Sequence, residues 1–222
     1  MTMQAASTEP LAETRVEVFA PERSLLVASL LSMSGGFLDA FTWLSLGVFA
    51  SSQTGNVVFL GIHAELGQWH RALHHTLPLA AFVLGAVVAV RSRAPLRCLA
   101  GEIVCLTAAM LLLHRAPDQI VILVISFGVA LQSASFRRVG DLNFLSVAVT
   151  GNMLRAIDQS FGASDRDAAR GTATMLALCL MFLMGAVVGG CVTRWLGAWS
   201  LALPIALSAC VLWLCRHPSH RH

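Results

Sequence analysis

The chain has 222 residues, of which 56% are hydrophobic and 12% charged, with a formal net charge of +3, and its mean hydropathy is +0.72. A soluble domain carries roughly 25% charged residues, so this composition excludes an ordinary soluble protein, and the weak, scattered positive charge excludes a nucleic-acid groove. The apolar residues fall into blocks of about 18 or more, long enough to cross the hydrocarbon layer as helices, which predicts an all-α integral membrane protein.

In chain order, residues 1–23 carry Glu9, Glu13, Glu17, Glu22 and two prolines, which predicts a flexible polar arm on the cytoplasmic side and not the basic start of a signal peptide. Hydrophobic helices are expected at about 24–47, 74–92, 97–114, 119–137, 171–193 and 196–215. Two further apolar segments, 50–64 and 144–158, are interrupted by Thr-Gly-Asn and too short for ordinary crossings. The basic tail 216–222 suits anionic headgroups or serves as the stop that fixes topology.

An internal duplication organises these elements. Thr54-Gly55-Asn56 recurs 96 residues later as Thr150-Gly151-Asn152, and Phe82-x-x-Gly85-Ala86-Val87-Val88 recurs 100 residues later as Phe182-x-x-Gly185-Ala186-Val187-Val188. Residues 24–114 thus form a first repeat and 115–215 a second. All fifteen basic residues are arginines, and arginine in short loops marks the cytoplasmic face. With six crossings and both termini cytoplasmic, twelve arginines fall inside and three (Arg71, Arg115, Arg194) outside; letting the short segments cross gives nine against six. The expected architecture is therefore six transmembrane helices plus two short re-entrant or half helices. Three crossings per half make the repeats inverted, an arrangement of many secondary transporters.

The candidate functional residues follow from that frame. Thr54 and Thr150 are read as N-caps of half-helices, whose unsatisfied N–H groups and positive dipole ends would attract anions or polar solutes; the alternative is a tight turn between packed helices. Asp39 lies deep in the first helix, where a charge is expensive and needs a partner. A pair with Arg137 or Arg138 is expected, Ser135 being the repeat counterpart of Asp39, and its role is either functional or structural glue. Glu102 is expected to reach the interface by snorkelling. Gln53 and Gln132 complete a polar set that would line a solute or ion pathway with Asp39, Thr54, Gly55, Asn56, Arg137, Arg138, Thr150, Gly151 and Asn152. Gly85, Ala89, Gly185 and Gly189 form small-x-x-x-small faces for helix packing.

Chemistry of other kinds finds little support. His63, His70, His74 and His75 cluster on the expected outer side, but no Cys or carboxylate joins them, which favours a wet loop over a metal site. The six cysteines show no Cys-x-x-Cys pair and read as small buried apolar residues. Motifs for hydrolysis, phosphate cradling or zinc chemistry are absent, so neither an enzyme nor a cofactor is expected. The expected partners are the bilayer and an unknown small solute, without nucleic acid, and homo-oligomer formation is left open. The readings carried forward are a small-solute transporter or channel-like permease, a non-transporting membrane scaffold or partner subunit, and, third, an intramembrane enzyme acting on a lipid, which lacks a nucleophile and base.

The stretches GGFLDAFTWLSLGVFASSQTGNVVFLG (35–61) and ALQSASFRRVGDLNFLSVAVTGN (130–152) resemble the YoaK family of bacterial inner-membrane proteins, a domain of unknown function. Gly-x-x-Asp-Ala at 36–40, Thr-Gly-Asn at 54–56 and Arg-Arg-x-Gly at 137–140 carry the resemblance, which covers nearly the whole hydrophobic region. Ser52, Gln53 and Ser133 depart from the Asn, Met and Asn expected there. The resemblance implies about six helices in a bacterial inner membrane and brings no substrate or catalytic residue.

Overall fold

A computed structural model of the chain describes residues 21–162 and 165–217. Most of the expected arm (residues 1–20) and of the basic tail (residues 218–222) lies outside the described residues.

Helix α1 (Leu25–Leu46) starts where the Ser24 hydroxyl accepts the Val27 N–H at 3.2 Å and stops at Gly47, whose φ of +69° suits a residue without Cβ. A loop leads into α2 (Gln53–Glu65), the single-turn α3 (Trp69–His74) and α4 (Thr76–Ser92). Helix α5 (Pro95–Leu112) opens on a proline, whose missing N–H is no loss at a first position. Pro117 precedes α6 (Asp118–Ser135). The second half continues with α7 (Val149–Gly162) and α8 (Asp165–Leu196), a 3-10 turn at Gly197–Leu201, and α9 (Ala202–Arg216).

Among the described residues, five stretches are long and apolar enough to cross a membrane: Leu25–Leu46, Trp69–Ser92, Pro95–Leu112, Asp118–Ser135 and the 49-residue Ala168–Arg216. The last contains most of α8, the 3-10 turn and all of α9. At 1.5 Å rise per residue, the 13 residues of α2 and 14 of α7 reach only about 20 Å, short of the roughly 30 Å hydrocarbon thickness.

Three expected boundaries change. The helix expected at 74–92 is preceded by α3, so its apolar stretch begins at Trp69. The helix expected to reach 137 ends at Ser135, because Phe136 turns extended and β1 (Arg138–Val139) pairs antiparallel with β2 (Leu142–Asn143). This hairpin, unforeseen in an all-α reading, is tied down by the Gly140 N–H donating to Arg23 O at 2.8 Å. The helix expected at 171–193 runs from Asp165 to Leu196, since the polar residues before 171 belong to the same helix.

Packing is exchanged between the halves: α1 lies chiefly on α8, and α4 on α6, while α5 joins α6 to α9. Glycine makes the crossings close. A Cβ on Gly185 would collide with the Met33 carbonyl oxygen, one on Gly36 with that of Phe182, and one on Gly189 would sit 2.8 Å from Phe37 Cα. At the α4–α6 crossing a Cβ on Gly85 would sit 2.8 Å from Ala130 Cβ, and Ala89 is buried beside Cys98 and Leu131. Dispersion over such close backbones is the packing force available where lipid is as apolar as the protein. The outer faces carry Val83, Leu84, Val87, Leu180 and Leu183, exposed, whereas Ser32, Asp39, Glu102, Gln132 and Ser208 are buried. Apolar outside with polar groups inside is the distribution lipid selects.

Candidate solute cavity between the halves

The two Thr-Gly-Asn segments fold alike, and each residue of the motif has a separate task. Asn56 donates from Nδ2 to Phe49 O (2.7 Å) while its Oδ1 accepts the Phe49 N–H (3.0 Å). Asn152 repeats this with Leu145, at 2.8 Å and 3.2 Å. Each asparagine therefore holds both backbone groups of the residue seven positions upstream, in a loop with no helix or sheet to satisfy them. At Gly55 a Cβ would lie 2.8 Å from the Phe49 ring, so glycine permits that ring to close over the helix start. The threonines are the exposed members of the motif.

Neither threonine is an N-cap, contrary to the sequence reading. Helix α2 starts at Gln53 after Ser52, and α7 starts at Val149, which places Thr54 and Thr150 one residue inside. Both threonines line a cavity of about 730 Å³. Its floor is residues 51–54 (Ser51, Ser52, Gln53, Thr54) and their counterparts 96 positions on, 147–150 (Val147, Ala148, Val149, Thr150), with Gly151 beside them. Phe82 and Phe182 form part of the wall, and Arg137 and Ser133 also line it.

Asp39 lies one layer behind this cavity and is 4% exposed. It is not paired with Arg137 or Arg138. Its Oδ1 accepts the N–H of Ser51 (2.7 Å) and of Ser52 (3.4 Å), and its Oδ2 accepts the hydroxyls of Ser51 (2.8 Å) and Ser52. Because α1 ends at Gly47 and the chain folds back, these donors arrive twelve and thirteen residues later, nearer than any arginine. Arg137 donates from Nε to Ala134 O (2.7 Å), and Arg138 is exposed on the hairpin. Ninety-six residues on from Asp39, Ser135 has a buried hydroxyl with no partner among the described residues, and Val147 and Ala148 stand where the two serines do, so the carboxylate and its serines occur only in the first half.

Other sequence candidates sit elsewhere. Gln132 is buried away from the cavity, donating to Leu31 O at 3.3 Å. Glu102 does not snorkel: it is 0% exposed on the inner face of α5, its Oε2 accepting the Ser208 hydroxyl of α9 at 2.9 Å and its Oε1 having no partner. His63, His74 and His75 are engaged in hydrogen bonds and ring contacts. His74 Nε2 lies 3.0 Å from Leu46 O and His63 Nδ1 3.0 Å from Gln68 Oε1. A ladder of rings runs from Trp43 through Phe59 to His75 and His63, with centroids 5.1 to 5.5 Å apart. The sequence reading missed Ser51 and Ser52 as the partners of Asp39, although a polar pair just beyond a glycine-terminated helix was a readable signal.

Comparison with known proteins agrees with a membrane location. The chain is similar to the UPF0700 transmembrane protein YoaK of Bacillus subtilis (strain 168), 24% identical over 179 residues, covering 72% of this chain and 80% of the relative. No solved structure matches. Five apolar stretches and a transmembrane relative make this a membrane protein. The profile of one family, described as Protein of unknown function (DUF1275), matches residues 27–214, and the chain belongs to that family.

Proposed function

We propose that the chain is a small-solute permease of the bacterial inner membrane, with the cavity between its halves as the solute site. The observation that carries this reading is the lining: residues 51–54 and 147–150, equivalent by sequence, meet around one space of about 730 Å³. A pathway on the axis between two inverted repeats is how such transporters alternate access. In this reading α8 and α9 cross separately, giving six crossings with both termini cytoplasmic, and α2 and α7 are half-helices entering from opposite faces. Asp39, Gln53, Arg137 and the two threonines then act on the solute, directly or through Ser51 and Ser52, and no residue performs bond chemistry.

A second reading has support from one feature. All four acceptor positions of Asp39 are filled by Ser51 and Ser52, as they would be if the carboxylate only holds the loop in a scaffold or partner subunit.

Uptake into proteoliposomes separates the two. The permease predicts flux of some member of a panel of organic anions, amino acids and neutral solutes, lost in Thr150→Trp, which fills the cavity from an exposed position. Absence of flux for the whole panel, with correctly inserted protein, rejects the permease.

A further inference from the structure

The cavity walls differ in hydrogen-bond polarity. On the α2 side, the hydroxyl hydrogens of Ser51 and Ser52 both point back to Asp39 Oδ2. Their remaining lone pairs are therefore what the serines offer to the cavity. Among the described residues no arginine or histidine pairs with this carboxylate, so the wall is a set of acceptors backed by a negative charge. The second half cannot reproduce it, because Val147 and Ala148 stand at the equivalent positions.

Another part of the lining donates. Arg137 spends its Nε on Ala134 O (2.7 Å), which leaves its terminal nitrogens for the cavity it lines. Beside it, the first N–H groups of α7, those of Val149, Thr150 and Gly151, have no backbone acceptor among the described residues; the first such bond in this helix is Asn152 N–H to Ala148 O at 3.1 Å. Phe82, Phe182 and Leu145 also line the cavity and offer apolar side chains.

We propose that this cavity binds a small zwitterion of the amino-acid type, its ammonium on Ser51 and Ser52 backed by Asp39, its carboxylate on Arg137 and the start of α7, and its side chain against Phe82 and Phe182. The proposal rests on the reading of the cavity as the solute site and names the class of solute. Two opposite charges on one small molecule satisfy both walls at once. An anion alone faces the acidic cluster, and a cation alone faces the arginine, so each singly charged analogue leaves one wall unpaired.

The test uses the full chain in lipid nanodiscs and matched trios of probes: alanine, valine and phenylalanine, each beside the carboxylate lacking its amino group and the amine lacking its carboxylate. Binding is measured by equilibrium dialysis of labelled probes. At least one zwitterion binds roughly tenfold or more tighter than both partners of its trio, the order expected from one lost charge-assisted hydrogen bond. In Arg137→Gln the zwitterion's advantage over the amine shrinks to roughly threefold or less, while its advantage over the carboxylate persists. A carboxylate or amine that binds as tightly as its zwitterion overturns the proposal, as does failure of every zwitterion to bind protein that is monodisperse and helical. Should a singly charged probe bind and be transported, with Thr150→Trp blocking it, the permease stands and the zwitterion falls; should nothing bind or move, both fall.

Discussion

Asp39 and Ser51 are joined twice, by the Ser51 N–H to Oδ1 at 2.7 Å and by the Ser51 hydroxyl to Oδ2 at 2.8 Å. The pair fixes the loop between α1 and α2 to the interior of α1, and with it the start of α2 at the cavity edge. Asp39→Ala leaves the buried Ser51 N–H without an acceptor, a loss of about 1–3 kcal/mol, read as a lower melting temperature in detergent. Asp39→Asn keeps an acceptor for that N–H and costs less. If Asp39→Asn melts close to wild type yet abolishes uptake, the carboxylate serves the solute; if uptake follows the melting temperature through both variants, it serves the loop.

The two asparagine pins make a paired prediction. Asn56→Asp and Asn152→Asp each retain the acceptor for the upstream N–H but lose the donor to the Phe49 or Leu145 carbonyl. Each is expected to destabilise by about 1–3 kcal/mol. Asn→Ala at the same positions removes both bonds and speeds hydrogen exchange at the Phe49 or Leu145 amide, while amides in the middle of α6 keep wild-type rates. Unchanged exchange at Leu145 in Asn152→Ala would refute the pin.

At the α1–α8 crossing, Gly185→Ala and Gly36→Ala place a methyl against a backbone carbonyl, where no flexible side-chain end can give way. Overpacking of this kind costs about 1–3 kcal/mol or more, so both variants should lose monodisperse protein on gel filtration. Gly190→Ala, with open space around its Cβ, should behave as wild type and serves as the control.

Among the described residues, Ser208 is the sole hydrogen-bond partner of Glu102. Ser208→Ala leaves a fully buried carboxyl with nothing to bond and should lower stability by about 1–3 kcal/mol. Glu102→Leu combined with Ser208→Ala removes both polar groups and should recover most of that loss, since paired replacement by apolar groups is nearly neutral. A double variant less stable than either single change would mean that Glu102 contributes beyond its bond to Ser208.

Composition and long apolar blocks made the helices legible, because lipid imposes one solution on the backbone. The two Thr-Gly-Asn segments were legible too, as ordered matches at nearly constant spacing. What escaped was local and three-dimensional. Asn56 and Asn152 each bond seven residues back, a reach that depends on how a loop without periodic structure closes. Charge complementarity pointed Asp39 toward Arg137 and Arg138, but a carboxylate accepts about four hydrogen bonds, and nearby serines supplied them. Glu102 looked close to a helix end by counting along the chain, whereas the rotation of α5 turns it toward α9. The hairpin after α6 lies in a stretch whose alternation is only two residues long on each side, too brief for a pattern to emerge.

The exchanged packing of α1 on α8 and α4 on α6 also bears on how the protein is made. During synthesis α1 enters the bilayer when its main neighbour has yet to be translated, with Gly36 and the surface around Met33 turned to lipid until α8 follows. The amino-terminal half cannot complete its own interior. Assembly therefore waits on the last third of the chain, and a ribosome that stops after α5 releases a fragment whose closest-fitting surfaces have nothing to close on.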